Sequence, residues 1–306
     1  MPTALILGAN GKIGRHAAAA FESANWRVRP YTRGTDMTRA AAGSDVIVNG
    51  LNPPAYHDWA RLIPEITTRV IAAAQSSGAS VILPGNVYNF GDTPGTWSEE
   101  TPQRPVSRKG LIRKEMEATY RAADIHTIIL RAGSFIDPSH QGDAMAALHM
   151  RDIRRDKLTA AGDPDCLHAF CYLPDWTRAA VMLAERRDRL AQFEDIPFPG
   201  HAFTIRELQD LLDAETGRRH RITRLPWPML RLAAPVWELA RELLEMRYLW
   251  NTDHRLSGEK FARLLPGFTA TDRRTVMLAG LPADIHPDKA MGSGGAPGRT
   301  EQIGLR

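Results

Sequence analysis

Three glycines at regular spacing carry the first chemistry in this chain: Gly8, Gly11 and Gly14, in Gly8-Ala9-Asn10-Gly11-Lys12-Ile13-Gly14. A turn without Cβ atoms is tight, lets its backbone approach a ligand, and leaves N–H groups at a helix N-terminus free to hold phosphate charge. The apolar run Ala4–Leu7 precedes it and an Ala-rich stretch from Ile13 to about Ala24 follows. Strand, turn and helix together imply the pyrophosphate of a nicotinamide-type dinucleotide, held by Gly8, Asn10, Gly11, Lys12, Ile13 and Gly14. The end of the second strand should report the cofactor, because an acid there binds a free ribose 2′-hydroxyl. Val28-Arg29-Pro30-Tyr31-Thr32-Arg33 contains no acid. Arg33 could meet a 2′-phosphate through two parallel hydrogen bonds, which favours NADP(H) over NAD(H); the alternative is a solvated surface arginine.

Bringing such groups to one edge requires alternating strands and helices. Arg27–Thr32, Asp45–Gly50, Ser80–Leu83 and Thr127–Leu130 read as strands. Tyr56–Gln75, with Trp59, Leu62, Ile63, Ile66, Val70 and Ile71 at helical spacing, and Ser107–Ala123 read as helices. The alternation predicts an α/β chain, a Rossmann-like doubly wound parallel sheet with helices on both faces. About a dozen residues separate Arg33 from Val46, too few for a helix, an extra strand and a second helix. The sheet should therefore be shortened after strand 2, with one short helix around 38–42 making the crossover. Leu51 and Asn52 should flank the cofactor at the carboxyl edge. The loop Asn86–Gln103, with Tyr88, Phe90 and Trp97, is expected to hang over that edge as a substrate lid.

Beyond residue 134 the alternation loosens. Leu167–Tyr172 reads as a strand leading into a helix opened by Asp175, and Thr204-Ile205-Arg206-Glu207 is a capping box. Trp227–Trp250 reads as one amphipathic helix, interrupted by Arg231, Glu238, Arg241, Glu242 and Glu245. Its end, Arg247-Tyr248-Leu249-Trp250, reads as core. The expected division is a dinucleotide-binding core over 1–180, a small C-terminal α/β lobe capping the substrate over 181–283 with parts of 134–170, and a disordered tail over 284–306.

The net charge of +4 and pI near 9.2 suit a phosphorylated ligand. Lys and Arg are spread along the chain, which argues against nucleic acid. The ten histidines and two cysteines show no metal spacing; His57, His140 and His168 read as structural, and Cys166 and Cys171 as a reduced buried pair. With no leader before the first strand and no apolar span, the expectation is a cytoplasmic protein whose partner is a small molecule, not a membrane, with a homodimer left open.

The Gly-x-x-Gly-x-x-Gly spacing resembles the short-chain dehydrogenase/reductase superfamily, and more closely its extended branch, the NAD-dependent epimerase/dehydratase family. Gly85-Asn86-Val87-Tyr88 with Gly91, Leu130-Arg131-Ala132-Gly133, and Phe170 to Asp175 are similar to further landmarks of that family, in the same order. The resemblance runs over roughly residues 3 to 280. It implies a Ser or Thr after the fifth strand and a Tyr-x-x-x-Lys pair on the next helix, the Tyr moving a proton to or from a carbonyl or alcohol. Aligned on Val87-Tyr88 and on Glu117, those three positions hold Pro84, Lys109 and Arg113; a one-residue shift gives Gly110 and Lys114. No Tyr-x-x-x-Lys occurs in the sequence.

Two accounts follow. In one, the chain is an enzyme acting on a small carbonyl or alcohol compound, with Tyr88 or Lys109 as proton donor and Arg113 on the cofactor ribose. The like charge of Arg113 would help Lys109 release a proton. The plainer reading makes Tyr88 a packed loop aromatic and puts Lys109 and Arg113 on a solvated helix face. In the second account, the fold binds NADP(H) without catalysis and acts as a redox sensor.

Overall fold

The computed structural model describes residues 1–139, 143–282 and 284–285. The first half builds a parallel sheet. Strand β1 (Thr3–Leu7) is followed by helix α1 (Lys12–Ser23), β2 (Arg27–Pro30), α2 (Met37–Ala41), β3 (Val46–Asn49), α3 (Trp59–Ser77) and β4 (Ser80–Gly85). After a short strand β5 (Gly95–Trp97) come α4 (Arg108–Ala122) and β6 (Thr127–Arg131). Strands β7 (Ser134–Ile136), β8 (Lys157–Ala160) and β9 (His168–Tyr172) then lead into α5 (Leu173–Glu185) and β10 (Phe193–Pro197).

The main sheet has six strands in the order β10-β6-β4-β3-β1-β2, all parallel. Strand residues alternate between two cores, as a pleated sheet buried on both faces requires. Ala4, Ile6, Val46, Val48, Ile82 and Ile128 pack toward α1 and α5. Leu5, Leu7, Ile47, Val81, Leu83 and Ile129 pack toward α2, α3 and α4. The sheet ends at β2, and α2 alone makes the crossover to β3, as the short segment after Arg33 predicts. The edge strand β10 lies past residue 180, so the sheet core extends beyond the boundary read from the sequence.

The remaining elements are β11 (His201–Phe203), α6 (Ile205–Thr216), β12 (Arg221–Arg224), α7 (Trp227–Ala233), α8 (Glu238–Glu245), β13 (His254–Leu256), α9 (Glu259–Leu264), which packs its Phe261 into the core beside α1 and α5, and α10 (Arg273–Leu278). Here β9 pairs with β7 and β11, β8 with β12, and β5 with β13. The capping box opens α6, with Thr204 and Glu207 each closing on the other's backbone N–H. Trp227–Trp250 is not one helix. It breaks into α7, α8 and a 3₁₀ turn over Arg247–Asn251, because Pro235 cannot continue the hydrogen-bond ladder. Leu249 of that turn is buried, as the core reading expects. His140 and almost all of the expected tail, 286–306, lie outside the described residues.

Candidate functional site

The glycine turn has the shape its sequence demands. Gly8 takes φ +74°, and its amide region lies against Gly50: a Cβ on Gly8 would stand 3.0 Å from the Gly50 carbonyl oxygen. A Cβ on Gly14 would fall 2.2 Å from the Gly8 oxygen, well inside van der Waals contact. Gly11 caps α1 with no side-chain hydrogen bond, and the helix has no acid in its first turn. Its N-terminal N–H groups present positive potential, which fits a phosphate cradle. Asn10 and Gly11 are exposed beside the opening, while Lys12 and Ile13 are half-buried. Burial lowers the Lys12 pKa, and the nearby Asp143 and Asp137 oppose the shift.

Gly50 links this turn to the second group of residues. It follows β3 directly, and two residues later Asn52 Oδ1 accepts a hydrogen bond from Arg113 Nη2 at 3.1 Å. Leu51 is held by its own N–H to Asn49 Oδ1, and Asn49 in turn donates to the Tyr120 hydroxyl inside the core. The chain then passes through an uncommon backbone stretch, with positive φ at Ala55, Tyr56 and Asp58. This delivers the Tyr56 hydroxyl to 3.2 Å from the Tyr88 hydroxyl. Tyr56 packs edge-on to Trp59 at 5.2 Å, and the Arg113 guanidinium lies over the Trp59 ring at 4.9 Å. The charge of Tyr88, burial and their shared hydrogen bond together push the Tyr56 pKa well above its ordinary value. Arg113 Nε is buried without a hydrogen-bond partner among the described residues, a donor that a ligand can satisfy.

Lys109 is not on a solvated face. Its side chain is 1 % exposed and forms ion pairs with Glu242 and, at 2.9 Å, with Glu245. Its backbone N–H also donates to Glu245 at 2.8 Å, and its ammonium stands over the Tyr56 ring at 5.1 Å. Where the sequence pointed to the like charge of Arg113, the structure surrounds Lys109 with two carboxylates. Both come from α8, more than 130 residues away in sequence, so no local spacing announces them.

The loop after β4 is pinned rather than overhanging. Phe90 and Trp97 are buried with Met246, Leu249 and Leu256, and β5 pairs with β13. Beneath it Arg131, fully buried, binds Glu117 at 2.7 Å and Asp195 at 2.6 Å and donates to the Asn86 carbonyl at 2.6 Å. Burial alone would lower its pKa, but the two carboxylates hold the guanidinium charged. The Leu-Arg-Ala-Gly landmark thus positions the loop that carries Tyr88. Among the described residues no cluster of three His, Cys, Asp or Glu side chains could hold a metal, and no helix is long and apolar enough to cross a membrane.

No protein-family model matches the chain. The dTDP-6-deoxy-L-talose 4-dehydrogenase (NAD(P)(+)) of Kitasatospora kifunensis is 32% identical over 229 residues, 68% of this chain and 69% of the relative. Among solved structures, MoeE5 in complex with UDP-glucose and NAD aligns at TM-score 0.70 and 15% identity, over 96% of this chain and 99% of that one. UDP-glucuronic acid 4-epimerase from Bacillus cereus, with UDP-glucuronic acid and NAD, aligns at TM-score 0.71 and 14% identity, over 95% and 99%. RMD from Pseudomonas aeruginosa, complexed with NADPH, aligns at TM-score 0.68 and 16% identity, over 95% and 100%.

These likenesses correct the preference for NADP(H). The first two structures hold NAD, and the sequence relative carries NAD(P)(+) in its name. The physical reason is visible at Arg33, which lies exposed in the turn after β2 and makes no side-chain hydrogen bond or ion pair among the described residues. A guanidinium free to swing into solvent selects for nothing by itself. The glycine cradle, the parallel sheet and the sequence relative agree, and the chain belongs to the NAD-dependent epimerase/dehydratase family, the extended branch of the short-chain dehydrogenases/reductases.

Proposed function

We propose that this protein is an oxidoreductase or epimerase acting on a nucleotide-activated sugar, with Tyr88 as its proton donor and acceptor. When bound, a nicotinamide dinucleotide supplies or accepts a hydride. The residues that would hold it are Gly8, Asn10, Gly11, Lys12, Ile13 and Gly14 at the pyrophosphate, with Leu51 and Asn52 at the carboxyl edge of the sheet. Arg113, whose Nε lacks a partner, would take the ribose or a substrate oxygen. Tyr88 moves the proton in preference to Lys109, because Lys109 is enclosed by Glu242 and Glu245. One observation carries the reading: a single short segment joins the two halves of the site. Gly50 packs against Gly8 and Gly14, and Asn52, two residues on, holds Arg113 beside the paired phenols.

The test is to mix the protein and NAD(H) with a panel of dTDP- and UDP-hexoses and their 4-keto forms. Nicotinamide absorbance reads net oxidation or reduction, and product stereochemistry reads epimerisation. Conversion of any member, lost in Tyr88→Phe, supports the proposal. Dinucleotide binding with no conversion across the panel would favour a second reading, a nucleotide-binding protein without catalysis. Two observations speak for that alternative: there is no Tyr-x-x-x-Lys, and the residue at the Tyr position is locked in a buried ion pair.

A further inference from the structure

We infer that Tyr56 is the positioning residue for Tyr88: its hydroxyl donates to the Tyr88 oxygen and holds the charge left there when Tyr88 releases its proton. The inference rests on the reading of Tyr88 as the proton donor. With both phenols protonated, either oxygen can donate across the 3.2 Å contact. Once Tyr88 has lost its proton, only Tyr56 can donate, so the contact becomes a charge-assisted hydrogen bond that strengthens as charge develops.

Three observations place Tyr56 for this task. Its backbone stands at φ +61°, beside Ala55 at +52°, a conformation costly for residues with a Cβ and retained where orientation matters. Its ring is fixed on one side by Trp59 and faces the Lys109 ammonium at 5.1 Å. Finally, the Arg113 guanidinium, held over the Trp59 ring at 4.9 Å, is electrostatically coupled to both phenols and favours charge on Tyr88. In the family pattern a lysine four residues after the tyrosine stabilises the phenolate. Here Tyr56 and Arg113 divide that work.

The proton balance is simple. In the reducing direction the Tyr88 O–H bond breaks as an O–H bond forms on the sugar carbonyl oxygen, whose carbon receives the hydride. Tyr56 keeps its own proton throughout, and Tyr88 regains one from water. In the oxidising direction the Tyr88 phenolate takes the proton of the sugar hydroxyl.

The experiment is a tyrosinate absorbance titration of the full-length protein, in wild type, Tyr56→Phe and Tyr88→Phe, with the Tyr88 step assigned by difference. Tyr56→Phe keeps the ring and its packing. It should raise the pH at which Tyr88 ionises by about one unit, a tenfold change in the ionisation constant. Tyr88→Phe should in turn let Tyr56 ionise at lower pH, since its main perturbing charge is gone. An unmoved Tyr88 step in Tyr56→Phe, or an unmoved Tyr56 step in Tyr88→Phe, overturns the inference, and the second readout stands should Tyr56→Phe fail to fold. With an active sugar nucleotide, the pH profile of kcat should shift upward in Tyr56→Phe while KM stays constant. If wild type converts no sugar nucleotide, the enzymatic reading falls, and the titration still decides on Tyr56.

Discussion

At Gly14 one methyl group decides whether the turn can close. A Cβ there would sit 2.2 Å from the Gly8 oxygen and 2.7 Å from the Ala9 Cα, both backbone atoms with no room to retreat. Gly14→Ala should cost about 1–3 kcal/mol of stability and weaken dinucleotide binding at least tenfold, measured by nicotinamide fluorescence titration against Gly267→Ala as a control in open space. Arg131 is the other residue on which much depends. Its removal in Arg131→Met leaves Glu117 and Asp195 facing each other in the core, and an uncompensated buried charge of this kind costs about 3–5 kcal/mol. Chemical denaturation should show that loss, and an unchanged midpoint would remove Arg131 from its structural role. The glycines were legible in sequence because their requirement is local. The partners of Arg131, Tyr56 and Glu245 were not, since each comes from a distant part of the chain.

Helices and strands were easier to read than the contacts between them. Five of the six parallel strands and the helices on the two faces follow from apolar runs and periodicity, β10 being the strand the sequence reading missed, and the capping box at Thr204 marked its helix start correctly. Two readings failed for different physical reasons. Charges at helical spacing joined Trp227 to Trp250, but Pro235 outweighs that pattern. The loop with Tyr88, Phe90 and Trp97 looked like a lid because loops at this edge bind ligands, yet a three-residue parallel pairing between β5 and β13 ties it down. The α4–α8 contact depends on Lys109. Lys109→Met should leave Glu242, which is almost fully buried, with less compensation and loosen α8. Hydrogen exchange should then rise over Glu238–Asn251 while α1 stays protected. Equal protection in α8 would show that packing alone holds it.

The whole molecule carries a pH dependence in its buried histidines. His149, His168 and His254 are buried around Trp250 and Trp97, with His168 stacked on Trp250 at 4.3 Å. Burial lowers His149 and His254 to about 4, and lowers His168 well below its ordinary value, with the neighbouring imidazoles adding to the effect. These groups fold neutral and unfold into water, where they titrate near 6.5. Above that pH they contribute no pH dependence. As pH falls from about 6.5 toward 4 the unfolded chain binds protons that the folded chain does not, so stability drops by up to about 1.4 kcal/mol per pH unit for each. Denaturation at pH 7.5 and 5 should show the loss, and His149→Leu should reduce it by one histidine's share.

The sheet that stops at β2 has a kinetic meaning as well. Thr32 to Asp36 are all exposed, so one turn and the five-residue α2 would border the ribose of a dinucleotide seated on the glycine turn as proposed. A dinucleotide held firmly at its pyrophosphate and loosely at its adenosine should come and go within the time of one turnover. That behaviour suits a cofactor used as a co-substrate, reduced or oxidised in one round and exchanged before the next. It suits less well a cofactor that is regenerated in place and never leaves. Stopped-flow displacement of NADH by excess NAD⁺ should therefore be fast compared with any turnover found, and protein purified without added cofactor should contain little of it.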